Sequence, residues 1–171
     1  MSRVPSTSAH TVGVDFLLAQ IGAHAATLFA ERLKPLKLTP AHAGILRIIN
    51  AENGISQKGV AKRLGMYESR LVSVLDEMQR MNLVERKASP NDRRFYALHL
   101  TARGKKNLQA IAEVAQDHRA ALCSGLTEKE TDTLWVLLDK IAQQQRLTPG
   151  VHPGYREIGK KSVDSGETHN C

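Results

Sequence analysis

Disulfide chemistry is the first thing this chain goes without. Its 171 residues include two cysteines, Cys123 and Cys171, too few and too far apart for a disulfide framework, which points to a reducing compartment. Long apolar runs are missing too: none approaches the roughly 20 residues that a bilayer-spanning helix needs. Residues 1–11 (MSRVPSTSAHT) are polar and lack the apolar centre of a secretory signal. A loose N-terminus and a cytoplasmic location are the expectation. Aromatic residues make up only 4% of the chain, so its core should be aliphatic and helix-packed, and 42% hydrophobic residues suffice for one such core. Catalytic signatures are absent as well. No Gly-rich phosphate loop, no Gly-x-Ser-x-Gly turn and no carboxylate pair at catalytic spacing occurs, so the sequence does not read as an enzyme. Seven histidines (His10, His24, His42, His99, His118, His152 and His169) are scattered, with no i, i+4 pair and no tight ligand spacing. No metal or other cofactor is expected.

Acidic residues are outnumbered. Twenty-four Lys and Arg against 17 Asp and Glu leave a formal charge of +7, which suits a polyanionic partner without proving one. Residues 39–101 alone hold ten basic and six acidic side chains, so more than half of the surplus is concentrated there.

Within that stretch, residues 54–101 spell out a small module. Ser56 is a good N-cap, because its hydroxyl accepts from backbone N–H groups that a helix leaves unpaired. Val60, Ala61 and Leu64 follow on one helical face, and Gly65 stands where the chain must reverse, a place for positive φ. A second helix carries Leu71, Val74, Leu75 and Met78 as a core stripe. Its other face presents Glu68, Ser69, Arg70, Ser73 and Glu77. Asn82 tolerates the left-handed conformation that ends a helix. Residues 83–87 then read as a strand, and Arg94, Tyr96, Leu98 and Leu100 alternate with Phe95, Ala97 and His99 as the returning one. Between them lies ASPNDRR, a turn with a cationic end. Two helices and a basic hairpin make a winged helix-turn-helix, whose second helix is shaped for a major groove.

The run Leu64-Gly65, Leu71, Asp76, Asn82-Leu83-Val84-Glu85-Arg86, Asp92-Arg93-Arg94 and Leu98-His99-Leu100-Thr101 resembles the MarR family of bacterial transcriptional regulators. The Asp-x-Arg near the hairpin tip, followed by the x-Leu-x-Leu-Thr strand, is its most specific part, and the resemblance extends over about residues 12–146. Two positions depart from the family pattern. Asn82 stands where glycine is usual, and Tyr67 where Ser or Thr often caps the recognition helix, so Tyr67 is a candidate to touch DNA instead.

The flanks are helical. Phe16, Leu17, Ile21, Leu28, Phe29 and Leu33 keep helical spacing through about residue 34, and Pro35 ends the run. Thr39 caps the next helix with Pro40 at its first position, burying Ala43, Leu46 and Ile49. Thr101 caps a long helix to about 124 with Leu108, Ile111, Ala115 and Leu122 as its buried stripe, and Gly125 breaks it. Thr127 and Glu130 form a capping box for a last helix that puts Leu134, Leu137, Leu138 and Ile141 on one side. These terminal helices (12–34 and 102–146) carry more apolar surface than the 39–101 reader can cover. The expected fold is mainly α with a small β-wing, a six-helix MarR-like architecture. The resemblance implies an intertwined homodimer whose two recognition helices lie about one DNA turn (~34 Å) apart on a pseudo-palindrome. Residues 147–171, rich in Pro, Gly and Ser with no apolar period, read as a disordered tail.

Ser69, Arg70 and Ser73 are the candidate contacts of the recognition helix, with Tyr67 beside them. Glu68 can accept from a cytosine amine but more often pairs with a neighbour. Lys62, Arg63, Lys87 and Arg93 are candidate phosphate contacts. The resemblance assigns Arg94 to the minor groove and Asp92 to orienting its guanidinium; a plain ion pair holding the wing is the competing reading. It also implies a cleft for a small aromatic effector, which His24 and His42 are placed to line, though core or surface roles are ordinary for histidine. Cys123, near a helix C-terminus where the dipole disfavours a thiolate, reads as a buried, inert thiol. The expected function is a sequence-specific DNA-binding regulator, a repressor released by a small molecule. A redox-responsive regulator using Cys123, or a winged helix that binds protein, are the alternatives.

Overall fold

The computed structural model describes residues 12–88, 96–152 and 155. Six helices and one hairpin follow in order: α1 (Val14–Leu33), a 3-10 turn (Lys34–Leu36), α2 (Pro40–Ala51), α3 (Gln57–Leu64), α4 (Glu68–Arg80), β1 (Val84–Ala88), β2 (Tyr96–Leu100), α5 (Ala102–Leu122) and α6 (Glu128–Gln144). Among these residues no helix is long and apolar enough to cross a membrane.

Capping side chains set most of the helix starts. Ser56 Oγ accepts from Gly59 N at 3.0 Å and Thr101 Oγ1 from Gly104 N at 3.0 Å. At α6, Thr127 Oγ1 accepts from Glu130 N while the Glu130 carboxylate accepts from Thr127 N at 2.8 Å; those bonds hold the Glu130 carboxyl below its usual range. Tyr67 precedes α4 with no side-chain cap. The helix ends are equally local in origin. Asn82 sits at φ 56°, and Leu83 N donates to Met78 O while Asn82 N donates to Gln79 O, both at 2.9 Å. This paired closure keeps Leu83 with the helix, so the strand begins one residue later than the sequence suggested.

The core lies between α2, α3, α4 and the hairpin. Leu33, Ile45, Leu46, Ile49, Val60, Leu64, Leu71, Leu75, Met78 and Leu98 are fully enclosed. β1 and β2 pair antiparallel, with Val84 opposite Leu100 and Ala88 opposite Tyr96. The two-residue alternation fails at Ala97, which is buried beside Leu98. A third segment explains it: Leu98 N donates to Ile55 O and Gly54 N to Leu98 O, covering the outer side of β2. Gly104 is required by a close approach, because a Cβ there would stand 2.0 Å from Leu83 O. That contact docks the start of α5 against the end of α4.

The flanking helices behave differently from the reader. No residue of α6 is buried, and Phe16, Leu17 and Ile21 of α1 are exposed together with Leu134, Leu137, Leu138 and Ile141 of α6. Leu122, read above as part of the α5 stripe, is also exposed, because the C-terminal end of α5 runs past the core while Ile111 stays inside it. Among the described residues nothing covers these apolar side chains.

In the region expected to be a solvated tail, residues 147–150 and His152 are exposed, whereas Val151 and Tyr155 are partly buried. Val151 N donates to Thr148 O at 3.1 Å and Tyr155 N to His152 O at 2.9 Å, and the Tyr155 ring packs against the core. An apolar period cannot announce this, because a single aromatic side chain makes the contact.

Candidate nucleic-acid interface

The exposed side of α4 begins at its first turn. Tyr67 is 74% exposed, and the Arg70 guanidinium lies over its ring, 5.7 Å from the centroid. That contact is within cation–π range and aims the half-buried Arg70 side chain along the helix start. Ser69 and Ser73 are exposed on the same helix, and the Ser73 hydroxyl donates to Arg70 O at 3.2 Å. The structure thus brings Tyr67, Ser69, Arg70 and Ser73 onto one patch. Glu68 is exposed in the first turn, where a carboxylate suits the positive end of the helix.

The other candidate cations lie on neighbouring elements. Lys62 and Arg63 occupy the last turn of α3, with Arg63 paired to Glu52. Lys87 on β1 is exposed and 2.8 Å from Glu85. Such exposed pairs hold weakly, so either cation is available to a stronger anion. Asp92, Arg93 and Arg94 lie outside the described residues.

A further arginine connects helix to wing. Arg86 of β1 is 21% exposed and its Nη1 donates to Asp76 Oδ1 at 2.7 Å and Gln79 Oε1 at 2.8 Å. It is a charge-assisted strut that fixes the hairpin against α4. The only local hint was that both Asp76 and Arg86 belong to the family pattern.

His42 takes a role that spacing did not suggest. It is 3% exposed and completes a capping box, with Nδ1 accepting from Thr39 N and its own N donating to Thr39 Oγ1, both at 3.3 Å. Nδ1 as acceptor places the ring proton on Nε2, which faces Glu77 Oε2 of α4 at 3.7 Å. Burial pulls the His42 pKa below its ordinary 6.5, and the Glu77 carboxylate opposes this. The neutral ring is therefore the folded form. The unfolded chain takes up the proton first, so stability present above pH 6.5 is lost as pH falls below it. Melting temperature should drop between pH 7.5 and 5.5, and His42→Gln, which keeps an acceptor but cannot titrate, should make that slope shallower. His118, lowered by burial and then by Arg32, leaves a residual slope of the same sign. An unchanged slope in the variant would refute the His42 assignment.

Two cavities open beside Phe29 and Tyr155, one between α1 and the start of α2, the other between α1, α2 and α5. One, of about 530 Å³, is bounded by Ala26, Phe29, Thr39, Pro40, His152 and Tyr155. The other, of about 320 Å³, reaches Gly44, Arg47, Leu108 and Ile111, again with Phe29 and Tyr155. Neither His24, exposed on α1, nor His42 lines them. Among the described residues no three His, Cys, Asp or Glu side chains converge as a metal site would require. Cys123, expected to be buried, is partly exposed at the C-cap of α5, because the helix has already left the core there.

A helix-turn-helix with a paired hairpin strutted to its second helix defines a winged-helix nucleic-acid reader. The sequence pattern of the MarR family matches residues 36–94. A transcriptional regulatory protein described for the hcr operon of Thauera aromatica is 31% identical over 112 residues, covering 66% of this chain and 68% of that protein. The chain belongs to the MarR family of transcriptional regulators. Among solved structures, a mutant of E. coli MarR complexed with operator DNA is 28% identical with a TM-score of 0.66, covering 77% of this chain and 94% of the other. The transcriptional repressor CouR, bound to a 23-mer DNA duplex, is 27% identical with a TM-score of 0.69, covering 82% of this chain and 99% of that one.

Proposed function

We propose that the protein is a cytoplasmic homodimeric repressor that reads a pseudo-palindromic operator and lets go when a small aromatic effector enters the cleft between α1, α2 and α5. The observation that carries this reading is the patch of Tyr67, Ser69, Arg70 and Ser73 on an α4 whose orientation to the wing is fixed by Arg86. DNA-bound relatives with this architecture support the placement of α4 in a major groove. Ser69 and Arg70 face base edges, Lys62, Arg63, Lys87 and Arg93 meet phosphates, and Arg94, aimed by Asp92, enters the minor groove. Pairing of two chains through α1, α5 and α6 covers the apolar face and sets the spacing of the two readers. An effector that binds the released arrangement better than the DNA-bound one shifts the population by that difference and by no more.

A salt titration of operator binding tests the electrostatic part. Each phosphate neutralised releases condensed counterions, so log affinity should fall linearly with log salt, by about 0.9 per contact. Arg94→Ala should lower affinity at every salt concentration and reduce that slope by about one for each subunit that uses it, with the dimer intact by light scattering. An unchanged affinity and slope would remove Arg94 from the interface.

A further inference from the structure

The cleft between α1, α2 and α5 holds a phenol supplied by the chain itself. Tyr155 lies 111 positions after Gly44, yet a Cβ built on Gly44 would stand 2.8 Å from the Tyr155 hydroxyl and 2.9 Å from two of its ring carbons. Gly44 is inside α2, where glycine costs about 1 kcal/mol relative to alanine. Its backbone does not need positive φ. Space for the ring is what the missing side chain provides.

The segment leading to Tyr155 is fitted in the same way. At Gly150, φ +69°, a Cβ would stand 2.9 Å from an Arg47 guanidinium nitrogen, so the chain crosses directly over that side chain. His152 then turns back, its ring 5.8 Å from the Tyr155 ring. Tyr155 borders both cavities. Burial raises the phenol pKa, with Arg47 opposing.

We propose that Tyr155 is a ligand in cis, seated against Gly44, and that the seat accepts a free para-alkyl phenol once Tyr155 is removed. Resting on the effector reading above, it follows that a small aromatic effector must displace Tyr155 before it can act. A tethered competitor presents itself at millimolar effective concentration, so it weakens a free phenol of sub-millimolar affinity about tenfold.

The test is calorimetric titration of the full chain with p-cresol, without DNA. Tyr155→Ala should bind p-cresol about tenfold more tightly than the unsubstituted protein, and the ligand should raise the melting temperature of the variant. Adding Gly44→Ala to Tyr155→Ala places a methyl in the seat and should abolish the gain. Equal binding by the unsubstituted and Tyr155→Ala proteins, no binding by either, or a gain that survives Gly44→Ala would overturn the proposal. Operator release separates the two readings. If p-cresol occupies the Tyr155→Ala seat but leaves operator affinity unchanged, the phenol in cis stands and effector-driven release through this cleft does not.

Discussion

Replacing Leu134 and Leu138 together by glutamate is expected to split the protein into folded monomers and to weaken operator binding by at least about a hundredfold. Both side chains are 39% exposed in the single chain, as is Ile141 one turn on, and covering that remaining surface is worth about 0.6–1.2 kcal/mol per leucine. Placing two carboxylates on that stripe removes the gain and adds charges that a partner helix would have to desolvate. Because α6 contributes no buried residue to the core, the monomer itself should keep its helical signal. Operator affinity suffers because the second half-site is bound at the effective concentration set by the first, an advantage of about 10²–10⁴. Light scattering and a mobility-shift titration on the same samples check both parts. A folded dimer with undiminished affinity would refute the interface.

Arg70→Ala should reduce discrimination between operator and random DNA by about 1–3 kcal/mol, roughly 5- to 150-fold. Two observations favour base contact over simple charge. The guanidinium is held above Tyr67, which restricts its orientations before DNA arrives, and the exposed hydroxyls of Ser69 and Ser73 flank it on the same face. Tyr67→Ala should reproduce part of the loss by leaving Arg70 present but unaimed. Competition assays against random duplex separate the outcomes. An equal loss on operator and random DNA would make Arg70 a phosphate contact and leave base reading to its neighbours.

Local signals carried much of the architecture. Thr39 with Pro40, Ser56, Thr101 and the Thr127–Glu130 box each acts within four residues, and Asn82 adopts the left-handed conformation its type permits. What escaped is long-range. His42 does not line the cleft; its side chain is engaged by Thr39 three positions back and by Glu77 on another helix. Arg86 spans ten positions to Asp76, and Tyr155 reaches Gly44 across most of the chain. None of these leaves a periodic trace. The exposed stripe of α6 was legible as apolar, but periodicity cannot say whether its cover comes from the same chain or a second copy. The wing tip with Asp92, Arg93 and Arg94 lies outside the described residues, so its role rests on the resemblance.

Two copies of α4, paired by the terminal helices, are proposed to enter successive major grooves on one face of a duplex. A hydroxyl-radical footprint of the pure protein on DNA selected from a random pool measures this most directly. Two symmetric protected segments are expected, with centres about one helical turn (~34 Å) apart, lost together on Leu134→Glu with Leu138→Glu. A single asymmetric tract, or no protection at physiological salt, would contradict it.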